Sequence, residues 1–264
     1  MMTEEQKSAI LGRLRQAEIE HDVRILLAVE AGSRAWGFDS PDSDFDVRFI
    51  YMHAPSWYQA VDLEEKRDVI EYPLTDGIDL HGWDLRKALR LLWKANPAFI
   101  EWLQAPLCYI EAGCFKQTAL RSLSGMYVPL KGIYHYRNMA ASTFRSHLRE
   151  AEVRQKKYFY VLRDLLAARW IAQHGAPPPV DFARLLPLLQ DAPAALAEVE
   201  DLLARKRAGV LDSGPARPAL QAFIEQELAQ DVGARPEKSR APDVIGELNR
   251  IFHLLLQEQK DCAG

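Results

Sequence analysis

The stretch Gly32-Ser33-Arg34-Ala35-Trp36-Gly37-Phe38-Asp39-Ser40-Pro41-Asp42-Ser43-Asp44-Phe45-Asp46 decides how this chain reads. It follows Val23-Arg24-Ile25-Leu26-Leu27-Ala28-Val29, a mostly apolar run of the kind that forms a strand buried on both faces. Gly32-Ser33 then opens a short turn or helix, where glycine admits close backbone approach and free N–H groups attract phosphate oxygens. The rest of Ala31 to Ser43 is rich in Gly, Ser, Asp and Pro and reads as a loop. Asp44 and Asp46 stand at the start of the next strand, Phe45 to Met52. A period of two sets both carboxylates on one face, about 6.6 Å apart along the strand, with Phe45 and Val47 on the other. Carboxylates so placed can share two Mg²⁺ ions held about 3.5–4 Å apart.

A third acid is expected from a neighbouring strand. Within Gly77 to Trp83 the apolar Ile78 and Leu80 face one way, so Asp79 and His81 face the other. A carboxylate inside a strand is costly without a partner, which makes Asp79 the candidate. Asp76 precedes Gly77 in turn context, and Asp84 suits the N-cap of a helix with stripe Leu85, Leu89, Leu92 and Trp93. That helix must end before Asn96-Pro97.

Beyond these segments, Ile10, Leu11, Leu14 and Ala17 give an opening amphipathic helix. From about Phe115 the pattern is helical. Residues 142–174 read as one long helix or two, stopped by Gly175-Ala176-Pro177-Pro178-Pro179. Helical patches follow at 181–207 and 217–230, Pro236 to Pro242 reads as a linker, and Val244 to Gln259 is a last helix carrying Leu248, Ile251, Leu254 and Leu255. The pattern is therefore an α/β N-terminal domain and an α-helical C-terminal domain.

With 264 residues, 48% hydrophobic and 27% charged, the chain has globular proportions and enough length for a substantial core. Its 33 Lys+Arg against 37 Asp+Glu, a net charge of −4, exclude a polycation that coats nucleic acid, though not a local basic groove. Cys108, Cys114 and Cys262 are odd in number and lack metal-ligand spacing, which points to a reducing compartment. No apolar run is long enough to span a membrane, and the first 23 residues lack a signal-peptide core, so a cytoplasmic location is expected.

Gly-Ser, a spacer, Asp-x-Asp and a later strand Asp together resemble the DNA polymerase β nucleotidyltransferase superfamily. GSRAWGFDSPDSDFDVRFIY, with GIDLHGWDLRKALRLLWKANPAFIEWL and KKYFYVLRDLLAARWI downstream, resembles a narrower group, the bacterial and phage nucleotidyltransferases associated with RNA ligases in RNA repair. The likeness covers roughly residues 20–185. It implies an α+β fold, a nucleotidyltransferase α/β domain with a mixed sheet followed by an α-helical domain, which the pattern along the chain divides near residues 115–130 into 1–120 and 121–264. It further implies transfer of a nucleoside monophosphate from an NTP to a hydroxyl, an RNA end being the favoured acceptor. By resemblance, Gly32 and Ser33 hold the nucleotide phosphates, Asp44 and Asp46 bind Mg²⁺ or Mn²⁺, and Asp79 contacts one metal and serves as general base. Arg34, Lys156, Lys157 and Arg163 supply the cations that a triphosphate needs, and Arg149, Arg154, Lys156 and Lys157 form a positive stretch able to follow an RNA backbone.

The same chemistry serves other acceptors in the superfamily: a protein side chain in the toxin-neutralising minimal nucleotidyltransferases, a small molecule in the kanamycin-modifying enzymes. A nucleotide sensor or RNA-binding module is the competing class. The aromatic and basic run Tyr134-His135-Tyr136-Arg137 would suit base stacking in such a module.

Overall fold

A computed structural model describes residues 2–233 and 244–263, and the expected linker from Pro236 to Pro242 lies outside the described residues. The chain forms two compact units. One is built from Met1–Ala35, Asp44–Met126 and Arg240–Gly264, the other from Trp36–Ser43 and Tyr127–Ser239.

The first unit is organised on a five-stranded sheet of order β3-β4-β2-β1-β5. Its strands are β1 (Val23–Glu30), β2 (Phe45–His53), β3 (Val69–Glu71), β4 (Ile78–Asp84) and β5 (Cys108–Glu111). β2 and β4 run parallel while every other neighbouring pair is antiparallel, so the sheet is mixed. The opening helix α1 (Glu4–His21) starts on a capping box at Thr3 and packs Ile10, Leu14 and Ala17 against Phe45, Val47 and Phe49. At Gly82 of β4 a side chain is excluded, because a Cβ would lie 2.3 Å from the Phe49 ring.

Alternation holds in both strands that carry the acids. Along the start of β2, Phe45 and Val47 are buried while Asp46 and Arg48 are half-buried; along β4, Ile78 and Leu80 are buried while Asp79 and His81 are not. Past Arg48 both faces of β2 are covered, so the polar face is confined to the strand's first turns of pleat. β2 begins at Phe45, whose N–H donates to the Gly77 carbonyl at 2.7 Å. Asp44 therefore precedes the strand and is exposed, rather than sharing its pleat with Asp46 as the spacing suggested.

The short helix α2 (Gly32–Ala35) joins β1 to the loop, and α3 (Leu85–Trp93) and α4 (Pro97–Gln104) follow β4. As expected, Asp84 caps α3 by accepting the Arg86 N–H at 2.8 Å. Asn96 does the same for α4 through the Phe99 N–H, with Pro97 in the first helical position. α5 (Phe115–Met126) completes the N-terminal part of this unit.

The second unit is mainly helical: α6 (Pro129–His147), α7 (Lys156–His174), α8 (Pro193–Arg207) and α9 (Pro218–Ala229), with a ribbon of β6 (Glu152–Arg154) and β7 (Ser213–Pro215). The 142–174 segment is thus two helices, interrupted where Glu152–Arg154 pairs with a strand about sixty residues later. α7 stops at Gly175, whose φ of +63° and N–H bond to Ile171 make a left-handed cap. Phe38 belongs to this unit's core, stacked on Phe159 with ring centroids 4.8 Å apart. The C-terminal helix α10 (Val244–Ala263) is part of the first unit, burying Leu248, Ile251 and Leu255, whereas Leu254 faces out. Among the described residues no helix is long and apolar enough to cross a membrane.

Candidate active site

The site is assembled from three segments of the first unit. β1 ends at Glu30, and the chain turns at once through Ala31, whose N–H donates to the Asp46 carbonyl at 2.9 Å. Gly32 follows with φ +58°, and a Cβ there would stand 1.9 Å from Asp46 Oδ2. Only glycine leaves room for the carboxylate at this place. Arg34 reaches the same segment, its Nε donating to the Asp44 carbonyl at 3.2 Å and its guanidinium lying 4.0 Å from the Phe45 ring centroid. The Gly-Ser turn and the Asp-x-Asp segment are therefore tied together by backbone, stacking and close contact.

Parallel pairing of β2 with β4 brings in the third acid. Asp46 and Asp79 are register partners, as are Arg48 and His81 one pleat further on. Arg48 Nη2 donates to Asp46 Oδ1 at 2.9 Å and to Asp79 Oδ2 at 2.7 Å. Its Nη1 donates to the carbonyls of Asp79 at 3.0 Å and Val47 at 3.1 Å. Burial pushes the Asp46 carboxyl above the usual range; Arg48 opposes this, while Asp79 and Asp44 add to it by repulsion.

Beneath Asp46 lies Glu30, 2% exposed. Its Oε1 accepts the Asp46 N–H at 3.0 Å and its Oε2 accepts the Tyr109 hydroxyl. Burial pushes the Glu30 carboxyl up to about 7, against the pull of those two hydrogen bonds. Glu30 thereby fixes the backbone of the strand residue that presents the acid. His81 accepts the Trp83 indole N–H at 2.9 Å and lies 3.3 Å from Glu71.

Arg48 and Glu30 join the site without being expected from the motif spacing. Arg48 had a signal: it is two residues beyond Asp46 and so on the same face. Glu30 had a weaker one, as the charged end of an otherwise apolar run.

The donor set fits a hard divalent cation. A guanidinium nitrogen shared by two carboxylate oxygens marks a place where positive charge is stable, and the absence of a Cβ at Gly32 leaves room for the Asp46 carboxylate beside it. Asp44 would complete an all-oxygen set of the type Mg²⁺ and Mn²⁺ prefer. As the side chains stand, among the described residues no three His, Cys, Asp or Glu are grouped to hold a metal, and Asp46 and Asp79 are both paired with Arg48.

Of the other expected site residues, Lys156 and Lys157 lie in the first turn of α7, in the second unit. Lys156 is exposed and lines a cavity of about 330 Å³ with Arg154 and Ser213. Arg163 is 2% exposed, and its guanidinium sits 4.5 Å from the Trp36 ring centroid. The run Tyr134 to Arg137 is not an open stacking surface: Tyr136 is 2% exposed, and Arg137 is engaged by the carbonyls of Leu228 and Gln230.

A sequence model described as the RNA repair pathway DNA polymerase beta family matches residues 6–254. The chain belongs to this family. Membership in the RNA repair pathway DNA polymerase beta family points to nucleotidyltransferase chemistry and gives the Asp46–Asp79 pairing its context. Among family-like proteins, the chain is 43% identical over 254 residues to one from Bacillus subtilis (strain 168) described as "Uncharacterized protein YcgL", covering 96% of this chain and 97% of that one. It is also similar to a crystal structure of a nucleotidyltransferase-like protein from Exiguobacterium sibiricum 255-15, over 81% of this chain and 73% of that chain. At 15% identity and a TM-score of 0.31, that likeness bears no weight in assigning the site.

Proposed function

We propose that this protein transfers a nucleoside monophosphate from an NTP to a hydroxyl acceptor, an RNA end, with Mg²⁺ or Mn²⁺. The observation that carries the reading is the parallel register that sets the Asp46 and Asp79 carboxylates around one cationic nitrogen beside Gly32. The family's description, which names RNA repair, favours RNA over a protein or small-molecule acceptor.

In this reading Asp44, Asp46 and Asp79 hold the divalent cations, which when bound neutralise the triphosphate and the departing pyrophosphate. The backbone around Gly32 and Ser33 receives the phosphates, and Arg34 contributes positive charge toward them. Asp79 takes the proton of the acceptor hydroxyl. The acceptor oxygen forms its bond to the α-phosphorus as the α–β phosphoanhydride bond breaks and pyrophosphate leaves. Glu30, through the Asp46 N–H, keeps the acid-bearing strand from shifting. Most of the acceleration then comes from positioning and fixed charge.

The test is transfer of label from each α-labelled NTP to short RNA, to protein extract and to small-molecule extract. Asp46→Asn, which keeps an acceptor for Arg48, is expected to lower transfer by at least about a hundredfold with the fold intact. Label on protein or on a small molecule would replace the acceptor. Transfer that survives in Asp46→Asn, or none to anything, would remove the catalytic assignment.

A further inference from the structure

Arg48 does more than neutralise a strand face. Two of its four hydrogen bonds go to backbone carbonyls, those of Val47 and Asp79, and both come from Nη1. The other two come from Nη2 and go to facing carboxylate oxygens, Asp46 Oδ1 and Asp79 Oδ2. Asp46 and Asp79 are also the residues that would hold a divalent cation here. Asp46 Oδ2 lies in the space that a Cβ at Gly32 would need, 1.9 Å from it, so Gly32 fixes how the carboxylate is presented.

Resting on the nucleotidyltransferase reading, we propose that Arg48 is the resident counter-cation of the acidic pair and competes with the divalent cation for Asp46 and Asp79. Without metal it prevents two half-buried carboxylates from repelling each other. With a divalent cation bound, Asp46 and Asp79 would hold it in place of their hydrogen bonds to Nη2, and no covalent bond would change. The Nη1 bonds to the two carbonyls do not depend on the carboxylates, so the guanidinium stays at the site with Nη2 released. A released Nη2 is a donor for an anionic phosphate oxygen. Metal affinity is therefore set low by design of the strand and rises when the guanidinium finds another anion.

The test measures Mn²⁺ binding by electron paramagnetic resonance, with melting temperature as a second readout, in the whole protein. The variants are Arg48→Gln, which removes the charge but keeps a donor, and Arg48→Lys, which keeps the charge but loses the fork. Arg48→Gln is expected to bind Mn²⁺ about tenfold tighter or more, and to melt lower than wild type in chelator. Mn²⁺ should raise its melting temperature by more than it raises that of wild type, with Arg48→Lys in between. Mn²⁺ affinity in Arg48→Gln equal to or weaker than wild type would overturn the competition and make Arg48 a simple positioning residue. Absence of Mn²⁺ binding in every form would also overturn it. If wild-type label transfer is lost in Asp46→Asn while Arg48→Gln leaves Mn²⁺ affinity unchanged, only the competition falls. If neither transfer nor Mn²⁺ binding is found, the enzymatic reading falls with it.

Discussion

At Gly32 two demands meet: a backbone φ of +58°, which L side chains rarely adopt, and the carboxylate of Asp46 in the space a Cβ would need. Gly32→Ala therefore has to displace either the turn or the acid. The expected cost is about 1–3 kcal/mol of stability. Label transfer is expected to fall by tenfold or more, as the Asp46 carboxylate moves off its place. Thermal melting and kcat/KM measured side by side check both halves, and an alanine variant with wild-type values in each would refute the close approach. The same locality explains why Glu30 escaped notice. Its function is directed at a backbone N–H sixteen residues on, and nothing in the composition of β1 announces that bond.

β2 and β4 were readable because their buried and polar positions alternate strictly where the acids lie. β3 and β5 were not, since Val69–Glu71 and Cys108–Glu111 are too short to show a period. The α6–α7 break was hidden for another reason: β6 exists through pairing with Ser213–Pro215. The cap of α3 yields a pH prediction. Asp84 is 1% exposed, and burial raises its carboxyl from 3.8 to about 6, against the hydrogen bonds from Tyr58 and the helix N–H groups. The folded form then holds a proton that the unfolded chain releases, so this contribution is full below about 3.8 and is lost as pH rises through about 6. The loss is on the order of 3 kcal/mol. Asp84→Asn, an equally good cap with no charge to acquire, should show a flatter unfolding free energy between pH 4 and 7 in urea titrations. Parallel curves for the two proteins would count against the buried proton.

For the whole molecule, chain order and unit membership differ. α10 closes the first unit from the far end of the sequence, with Leu255 1% exposed. Leu255→Ala is expected to cost about 2–5 kcal/mol, read as a shift in denaturation midpoint, although the site residues lie some two hundred positions earlier. A smaller loss would mean that α10 contributes little to that core. Charge is also a property of the whole. At a net −4, any RNA affinity must come from local cations, so its salt dependence should be shallow. Replacing Lys156 and Lys157 together by alanine should reduce the log–log salt slope of single-stranded RNA binding by about 1.4, measured by fluorescence anisotropy. An unchanged slope would take those two lysines out of the RNA path.

Periodicity, turn chemistry and capping are interactions between residues a few positions apart, and they are written plainly in the chain. They sufficed for an α/β domain followed by a helical one, the buried first strand, the Gly32 turn, the faces of Asp46 and Asp79, the cap at Asp84 and the helix stop at Gly175. What remained depended on which distant segments meet. The Asp46–Asp79 register, the Arg48 bridge, the Glu30 bond beneath them, the start of β2 after Asp44 and the place of α10 all arise from long-range pairing. A carboxylate's neighbours are chosen by strand register and close packing, and those are settled only when the sheet closes.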